Sequence, residues 1–309
     1  MEVAAELFDQ FQDIQNNWKY IPLRDWMEFR VDLPIFACGI YLWMVHVIAK
    51  KDYAPMKLRA LFAVWNLILA TFSMVGASYV VPVLWEYLTN PDKGFKYSIC
   101  QDPGKTFYNG PSGFWIAAFI LSKLPEMFDT FFLVVQRKPV IFLHWYHHTT
   151  VALYCWHAYI NNTSGLWFAA MNYSVHSVMY TYYFFMAVNM KGLVKPLAPF
   201  ITTFQIVQMI IGLIITAFHV LWAKDENGVG ECSVVPSNAK LGFVMYLSYF
   251  ILFAELFYNS YIAKKPKRAV AQSSAEKAAV VETNGARSPS NGKKTSVGSL
   301  IGNAGKKLH

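Results

Sequence analysis

Long apolar stretches recur along this chain and are separated by short segments that carry proline, glycine and charge. A helix needs about 20 apolar residues to cross the ~30 Å hydrocarbon core of a bilayer. Seven stretches come near or above that length. They cover residues 33–49, 60–86, 113–135, 141–160, 166–189, 197–222 and 239–263. We therefore predict an all-α membrane protein with seven transmembrane helices.

Composition agrees with a membrane protein and divides the chain into three parts. Apolar residues make up 55% of the 309 residues and charged residues 15%, against roughly 45–50% and 25% in soluble domains. The net charge of +8 lies in the tail, residues 264–309, which we expect to be disordered because it has few apolar residues to bury. This excludes nucleic-acid binding, which would need a folded basic face. The other parts are an N-terminal segment over 1–32 and a transmembrane domain over 33–263.

The distribution of lysine and arginine predicts the orientation. With the N-terminus in the lumen, 18 of the 27 basic residues fall on the cytosolic side, as the positive-inside rule requires. The same orientation places the glycosylation sequons at Asn161 and Asn162 in the lumen. The loop cysteines Cys100 and Cys232 also fall there, where oxidation is permitted. Residues 306–309 (Lys-Lys-Leu-His) resemble a cytosol-read retrieval signal. We predict a multi-pass glycoprotein of the endoplasmic reticulum membrane with a cytosolic C-terminus.

Four of the predicted helices carry polar motifs inside the membrane. A charged side chain at mid-bilayer costs about 2.5–3.5 kcal/mol on insertion scales, so each one needs a reason. In the predicted topology all four motifs lie in the cytosolic half of the membrane. We therefore predict one polar site that opens toward the cytosol, with an apolar lining that continues toward the lumen. The motif residues are Lys123, Glu126, Asp129 and Thr130, then His144, His147 and His148, then Asn172, His176, Tyr180 and Tyr183, then Thr202, Gln205 and Gln208.

Structural roles compete with catalytic ones at some of these positions. Lys123 and Glu126 could form an ion pair that joins helices. Gln205 and Gln208 are typical of interhelical hydrogen bonds. Isolated histidines near helix ends, and cysteines without a basic neighbour to form a thiolate, are expected to pack rather than react. The residues in this group are His46, His157, His219, Cys38 and Cys155.

The cluster of His144, His147 and His148 has two chemical interpretations. Imidazole is the commonest metal ligand, and membrane di-iron desaturases and hydroxylases carry several histidine boxes. This chain has eight histidines but one such box, so we predict no metal. The second interpretation is acyl transfer. A neutral imidazole attacks thioesters and passes the acyl group on, while neighbouring histidines or amides stabilise the developing oxyanion or enolate.

The four motifs together resemble those of the ELO/ELOVL very-long-chain fatty acid elongases over roughly residues 30–263. The matching runs are Lys123-x-x-Glu126-x-x-Asp129-Thr130, His144-x-x-His147-His148, His176-x-x-Met179-Tyr180-x-Tyr182-Tyr183 and Thr202-x-x-Gln205-x-x-Gln208. The variable positions around His147 and His176 are similar to the branch that elongates saturated and monounsaturated chains. The resemblance implies seven transmembrane helices, six of them in a barrel around an acyl tunnel closed at the lumenal end.

The resemblance also implies an activity and partners. Acyl-CoA and malonyl-CoA condense to 3-ketoacyl-CoA, CO2 and CoA, which is the first step of each two-carbon elongation cycle. No cofactor or metal is needed, and the reaction follows a ping-pong scheme. The lipid bilayer surrounds the protein. The resemblance further implies a homo-oligomer and association with the other enzymes of the cycle. It supports a disulfide between Cys100 and Cys232.

Individual roles carry over by the same resemblance. His147 is the expected acyl-accepting nucleophile, and His176 with Asn172 is expected to stabilise the malonyl-derived enolate. His144 and His148 are expected to orient groups or exchange protons, and Glu126 and Asp129 to position histidines. The expected substrate-binding residues are Lys123, Tyr180, Tyr183, Gln205 and Gln208, with Arg137, Lys138, Tyr258, Lys264 and Lys265 as CoA contacts.

Two other functions remain as alternatives. A di-iron desaturase or hydroxylase would require bound iron, oxygen and an electron donor. A lipid or acyl-CoA transporter or sensor would need a path to both membrane faces, and a polar cluster confined to one half-membrane argues against such a path.

Overall fold

The computed structural model describes residues 2–223 and 231–263, and regular structure in these ranges is helical. The predicted CoA contacts Lys264 and Lys265 and the predicted retrieval signal over residues 306–309 lie outside the described residues. The α-helices are α1 (Glu2–Asn16), α2 (Tyr20–Phe29), α3 (Asp32–His46), α4 (Arg59–Thr89), α5 (Gly94–Cys100), α6 (Gly110–Ser122), α7 (Phe128–Val135), α8 (Phe142–Ile160), α9 (Leu166–Ala187), α10 (Lys191–Val194), α11 (Ala198–Trp222) and α12 (Pro236–Phe257).

Helices cover all seven stretches that the sequence predicts to span the membrane. Four continuous helical segments are long and apolar enough to do so: Asp32–Lys50, Arg59–Thr89, Lys191–Trp222 and Pro236–Ile262. The prediction of an all-α, multi-pass membrane protein is therefore confirmed. The other three stretches contain α6 to α9. Their continuous helices are shorter or carry the polar motifs, which lower the mean hydropathy.

The third predicted span is not one continuous helix. α6 ends at Ser122, a 3-10 turn covers Pro125–Met127, and α7 begins at Phe128. Proline lacks the N–H of a helical hydrogen bond, and its ring clashes with the carbonyl of the preceding turn. The turn lies within the Lys123-to-Asp129 motif, so the helix breaks where its charged side chains are concentrated.

The two ends of the helix bundle can be named by residues that lie there. At one end, the Met56 N–H donates to Val135 O at 2.9 Å, close to Arg137 in the loop between α7 and α8. At the other, Cys100 and Cys232 are paired as a disulfide with their Cα atoms 4.1 Å apart. We call these the Arg137 end and the Cys100 end. α8 runs from the first to the second, and α9 runs back.

Glycines let some helices approach closely. α4 packs along the whole of α9, and α11 packs against α12. A Cβ at Gly76 on α4 would overlap the ring of Tyr173 on α9, and one at Gly212 on α11 would overlap the ring of Tyr246 on α12. These two glycines therefore set the distance between the paired helices.

The N-terminal segment forms two helices that dock on the bundle. Gln15 on α1 accepts a hydrogen bond from Trp115 Nε1 on α6 at 2.7 Å. The backbone carbonyl of Met27 on α2 accepts one from Trp156 Nε1 on α8 at 2.9 Å. Both tryptophans are buried, so these bonds satisfy donors that would otherwise be unpaired.

Candidate active site

A closed ring of polar side chains joins the third and fifth predicted spans. Lys123 Nζ donates to Glu126 Oε1 at 2.7 Å and to Asn172 Oδ1 at 3.1 Å. The Asn172 amide meets His176 Nε2 at 3.0 Å, and His176 Nδ1 lies 4.0 Å from Glu126 Oε2. Ser122 Oγ also donates to Glu126 Oε1, at 2.7 Å. Lys123 and Glu126 are almost fully buried, so the charges of this pair are compensated inside the protein.

The ring determines the tautomer of His176. A lysine ammonium only donates, so it must face the carbonyl oxygen of the Asn172 amide. The Asn172 nitrogen then faces His176 Nε2 and donates to it, which leaves Nε2 without a proton. The proton of the neutral imidazole is therefore on Nδ1, on the side of Glu126. Lys123 thus orients His176 through the amide between them.

The His144 and His148 rings of α8 face helices α3 and α7. His144 Nε2 is 2.7 Å from Thr130 Oγ1, and Thr130 Oγ1 is 2.8 Å from the hydroxyl of Tyr41 on α3. The His148 ring packs 4.6 Å from the His144 ring and 6.1 Å from the Tyr41 ring, measured between centroids. These contacts hold both histidines from the side of α3.

His147 instead lines a cavity that runs inside the bundle. About 670 Å³ of space within the cavity and at its opening is free of protein atoms. One part of its wall, the motif half, is formed by His147, Asn172, Gln208 and Tyr249. The other part, the aromatic half, lies toward the Cys100 end and includes Tyr108, Tyr154, Tyr159, Phe168, Tyr246 and residues 163–165. The structure therefore brings three of the four motifs to one end of a mainly apolar cavity.

Tyr249 on α12 is a neighbour of His147 that was not predicted from the sequence. The two rings are 5.0 Å apart. The Tyr249 hydroxyl lies 2.6 Å from Thr150 Oγ1 and donates to the His147 carbonyl at 3.4 Å. An aromatic ring with a polar tip inside an apolar span is the signal that could have identified it.

Asp129 belongs to a separate cluster on the side of α4. Trp65 Nε1 donates to Asp129 Oδ1 and Tyr180 OH to Asp129 Oδ2, both at 2.7 Å. The Tyr180 ring in turn packs edge-on against His176 with centroids 5.2 Å apart. Asp129 thus reaches a histidine through Tyr180. Trp65 could not be predicted from the sequence, because nothing local marks one tryptophan in an apolar stretch as a hydrogen-bond donor.

The remaining motif residues have different surroundings. Gln208 is buried and lines the cavity, whereas Gln205 donates to the sulfur of Met179 at 3.3 Å. The Thr202 hydroxyl donates to the backbone of its own helix. Tyr183 is 40% exposed. Gln208 is therefore the member of this group in contact with the cavity.

Cys155 also lines the cavity, on the same helix as His147. From the sequence we expect this cysteine to pack rather than react, and that expectation stays a prediction. Eight residues along α8 separate it from His147, or about 12 Å of helix rise. Cys155 is thus a second nucleophilic side chain in the cavity wall, and any assignment of a covalent intermediate must test it.

The predicted CoA contacts that the structure describes lie at the Arg137 end. Arg137 donates to the carbonyls of Lys51 and Tyr53 at 2.7 and 3.3 Å and pairs with Asp52 at 3.3 Å. Arg137 and Lys138 line a separate groove of about 870 Å³. The exposed ring of Tyr258 follows α12, while Lys264 and Lys265 lie outside the described residues.

The predicted glycosylation sequons lie at the Cys100 end of the bundle. Asn161 Nδ2 donates to the His157 carbonyl at 2.8 Å, and Asn162 Nδ2 donates to Asp102 Oδ1 at 2.6 Å. Thr163 is buried. In this fold both amide nitrogens therefore already have partners.

Within the residues described, no group of three or more His, Cys, Asp or Glu side chains is arranged to hold a metal ion. The isolated histidines have protein partners instead. The His219 ring nitrogen lies 3.0 Å from Ile99 O, and His157 Nδ1 lies 2.8 Å from the Asn238 amide.

Comparison with known proteins shows the family of the chain. Residues 26–269 match the model of the ELO (GNS1/SUR4) family. Fatty acid elongase 3 of Trypanosoma cruzi (strain CL Brener) is 44% identical over 82% of this chain and 92% of its own length. Fatty acid elongase 3 of Trypanosoma brucei brucei (strain 927/4 GUTat10.1) is 43% identical over 84% and 94%. Very long chain fatty acid elongase 4 of Trypanosoma cruzi is 41% identical over 86% and 93%. The chain therefore belongs to the ELO (GNS1/SUR4) family, the very-long-chain fatty acid elongases that its four motifs resemble.

Proposed function

We propose that this fatty acid elongase condenses a long-chain acyl-CoA with malonyl-CoA through an acyl-histidine intermediate on His147. In the first half-reaction, a ring nitrogen of neutral His147 attacks the thioester carbonyl. The carbon–sulfur bond breaks, CoA leaves as the thiol with the imidazole proton, and the acyl group stays on the ring.

The second half-reaction uses malonyl-CoA. Its carboxylate leaves as CO2, and the electron pair of the broken carbon–carbon bond forms an enolate. The enolate carbon attacks the acyl carbonyl, and the acyl–nitrogen bond breaks to give 3-ketoacyl-CoA and free His147 after proton uptake. Asn172 stabilises the enolate oxygen with the second N–H of its amide, because a hydrogen-bond donor held in place is worth most in a water-excluded site. His176 supports this by accepting the first N–H of the same amide.

The observation that carries this assignment is the position of His147 in the cavity wall. The His144 ring bonds to Thr130 and packs on the His148 ring, and His176 belongs to the polar ring with Lys123. His147 adjoins both the polar ring and the apolar space in which an acyl chain would lie.

Under this proposal the substrates have a defined direction in the cavity and the protein has a defined orientation in the membrane. The acyl chain extends from His147 toward the Cys100 end, and CoA remains near the Arg137 end, where basic residues attract its phosphates. The protein lies in the endoplasmic reticulum membrane with its N-terminus in the lumen. The Cys100–Cys232 disulfide then forms in an oxidising compartment. No cofactor takes part.

Intact-protein mass spectrometry tests the intermediate. Full-length protein in detergent is incubated with palmitoyl-CoA and excess chelator, without malonyl-CoA. The wild type is expected to gain one palmitoyl group, which labelled malonyl-CoA then removes as 3-ketoacyl-CoA with release of CO2. His147→Ala should give neither adduct nor product.

Cys155→Ser is the matched control, because Cys155 is the competing nucleophile in the cavity wall. An adduct on this variant, with peptide mapping to His147, supports the proposal. An adduct that survives His147→Ala, or that disappears in Cys155→Ser, would overturn it. The same assay is run without oxygen, which a di-iron desaturase requires. Formation of 3-ketoacyl-CoA under these conditions would support condensation over desaturation.

A further inference from the structure

The groove at the Arg137 end is separate from the cavity that contains His147. It lies between the end of α3 and the loop that joins α7 to α8. Its free space is about 870 Å³, including the part that is open to solvent. Among the described residues, none lines both the groove and the cavity. The groove therefore has room for a ligand that does not enter the cavity.

The wall of the groove carries an excess of positive charge. Lys50, Arg137 and Lys138 line it, and no acidic side chain among the described residues does so. Asp52, in the adjoining loop, pairs with Arg137 at 3.3 Å, but its side chain is fully exposed, so solvent screens this pair. Lys138 Nζ lies 5.6 Å from the ring of Phe62 and keeps its charge there. Three cations against one carboxylate leave a positive site that favours an anion.

Arg137 is fixed in place and still has unused donors. Its Nη1 makes the bonds to the Lys51 and Tyr53 carbonyls and the pair with Asp52. The guanidinium carbon also lies 4.9 Å from the centroid of the Tyr53 ring. A guanidinium has five N–H donors, and no described residue accepts a hydrogen bond from Nε or Nη2. An arginine held in this way is suited to a phosphate group, which accepts two parallel hydrogen bonds.

The surroundings of the groove indicate where that phosphate comes from. Trp43, one turn before His46 on the same face of α3, is 55% exposed. The ring of Phe142 packs 5.0 Å from the ring of Trp145 in the groove wall, and Phe142 is 53% exposed. On the outside of a transmembrane bundle, such side chains contact acyl chains. A basic pocket between transmembrane helices at their ends is typical of sites for anionic lipid headgroups.

We infer that the groove binds an anionic phospholipid, whose phosphate contacts Lys50, Arg137 and Lys138. The acyl chains of this lipid lie along Trp43 and Phe142. In the proposed orientation the groove faces the cytosolic leaflet, which contains anionic lipids. The inference does not depend on the condensation reaction, and it gives Arg137 and Lys138 a role other than CoA binding. The phosphates of CoA share the same chemistry and are the competing occupant.

Lipid titration of the full-length protein in detergent tests the inference. The probes are dioleoyl phosphatidate, which is anionic, and dioleoyl phosphatidylcholine, which has no net charge. Native mass spectrometry counts the bound lipids, and the thermal unfolding temperature rises with a ligand that binds the folded state. We expect the wild type to bind phosphatidate at least tenfold more tightly than phosphatidylcholine. Lys50→Gln/Lys138→Gln should weaken phosphatidate binding about 30-fold, the effect of two basic residues near an anionic lipid surface.

Lys57→Gln/Lys191→Gln is the matched control. It removes the same charge from exposed lysines at the Arg137 end that do not line the groove, and it should bind phosphatidate as tightly as the wild type. Equal weakening in the two double variants, or equal binding of the two lipids by the wild type, would overturn the inference.

Two further measurements distinguish the sources of the phosphate. Displacement of phosphatidate by CoA would assign the groove to CoA and overturn the inference. An equal rise of the unfolding temperature with inorganic phosphate at the same concentration would also overturn it, because the acyl chains would then contribute nothing. A protein that binds phosphatidate as expected but forms no 3-ketoacyl-CoA would contradict the proposed function alone.

Discussion

The motif half and the aromatic half of the cavity differ in how their side chains are held. In the motif half, Lys123, Glu126, Asn172 and His176 form a ring in which the polar atoms meet one another. In the aromatic half, large rings fill the wall, and the Tyr159 hydroxyl has no hydrogen-bond partner among the described residues. The first region can hold charge inside a membrane protein because it supplies the compensating groups itself.

We therefore expect the motif half to carry out the reaction and the aromatic half to determine which acyl chains are accepted. A buried ion pair often contributes little net stability, because desolvation offsets the attraction. The Lys123–Glu126 pair is therefore better explained by what it orients, the Asn172 amide and the His176 ring. The aromatic half has no such network, so substitutions there should change which substrates fit more than how fast they react.

The largest effect is expected when the ring loses its cation. Lys123→Met leaves Glu126 buried with an uncompensated charge, which costs about 3–5 kcal/mol in comparable buried pairs. We expect a large fall in the thermal unfolding temperature in detergent, with loss of condensation. Lys123→Met/Glu126→Gln removes both charges and should restore most of the stability but not the activity.

The exposed pair of Arg30 and Asp32, with N–O contacts of 3.0 and 3.2 Å, provides the control for this variant. Exposed pairs contribute little, so Arg30→Gln should leave the unfolding temperature unchanged. An equal loss in Arg30→Gln and Lys123→Met would contradict the special role of the ring.

A smaller effect is expected at Asp129. Asp129→Asn places an amide N–H against one of two donors, Trp65 or Tyr180, and loses one hydrogen bond. We expect turnover to fall about tenfold, as for a loss of 1–2 kcal/mol, while membrane insertion and protein yield stay normal. Tyr180→Phe, which removes one donor and keeps the ring beside His176, should have a smaller effect. Normal turnover in Asp129→Asn would reduce Asp129 to a structural role.

Gly212→Ala, next to Tyr246 of the aromatic half, should change which acyl chain lengths the protein accepts. The new methyl group overlaps the Tyr246 ring and pushes it toward the cavity that it lines. Overpacking of this kind costs about 1–3 kcal/mol. We expect kcat/KM to fall more for long acyl chains than for short ones. Gly39→Ala, where a Cβ meets no neighbour within 4 Å, is the control and should leave the chain-length profile unchanged. A uniform fall at all chain lengths would place Tyr246 outside the selecting region.

The smallest effect is expected at Gln205. Its amide donates to the Met179 sulfur, and a thioether is a weak acceptor. Gln205→Leu should therefore change kcat/KM by about twofold or less, the size of a ~0.5 kcal/mol interaction. Gln208→Leu, at a position that lines the cavity, should have the larger effect. A larger effect of Gln205→Leu than of Gln208→Leu would show that contact with the cavity does not determine the importance of these glutamines.

Part of the fold and of the site could be predicted because it depends on local pattern. A 20-residue apolar run indicates a spanning helix wherever it lies, and the i, i+4 spacing of Asn172 and His176 places both side chains on one helix face. The prediction of one continuous third helix was wrong. The break at Pro125–Met127 depends on where the chain tolerates an interrupted hydrogen-bond ladder. The docking of α1 and α2 was likewise not evident, because their tryptophan partners lie about 100 residues or more away.

The sequence by itself determined the helical elements, the membrane class, the four motifs and the family. Those properties follow from hydrophobic length, helical periodicity and residue types at fixed spacing. Only the tertiary structure decided which histidine lines the cavity, and that Asp129 bonds to Trp65 and Tyr180. Hydrogen-bond partners depend on how distant helices approach, and a side chain's neighbours across a bundle leave no periodic trace in the sequence.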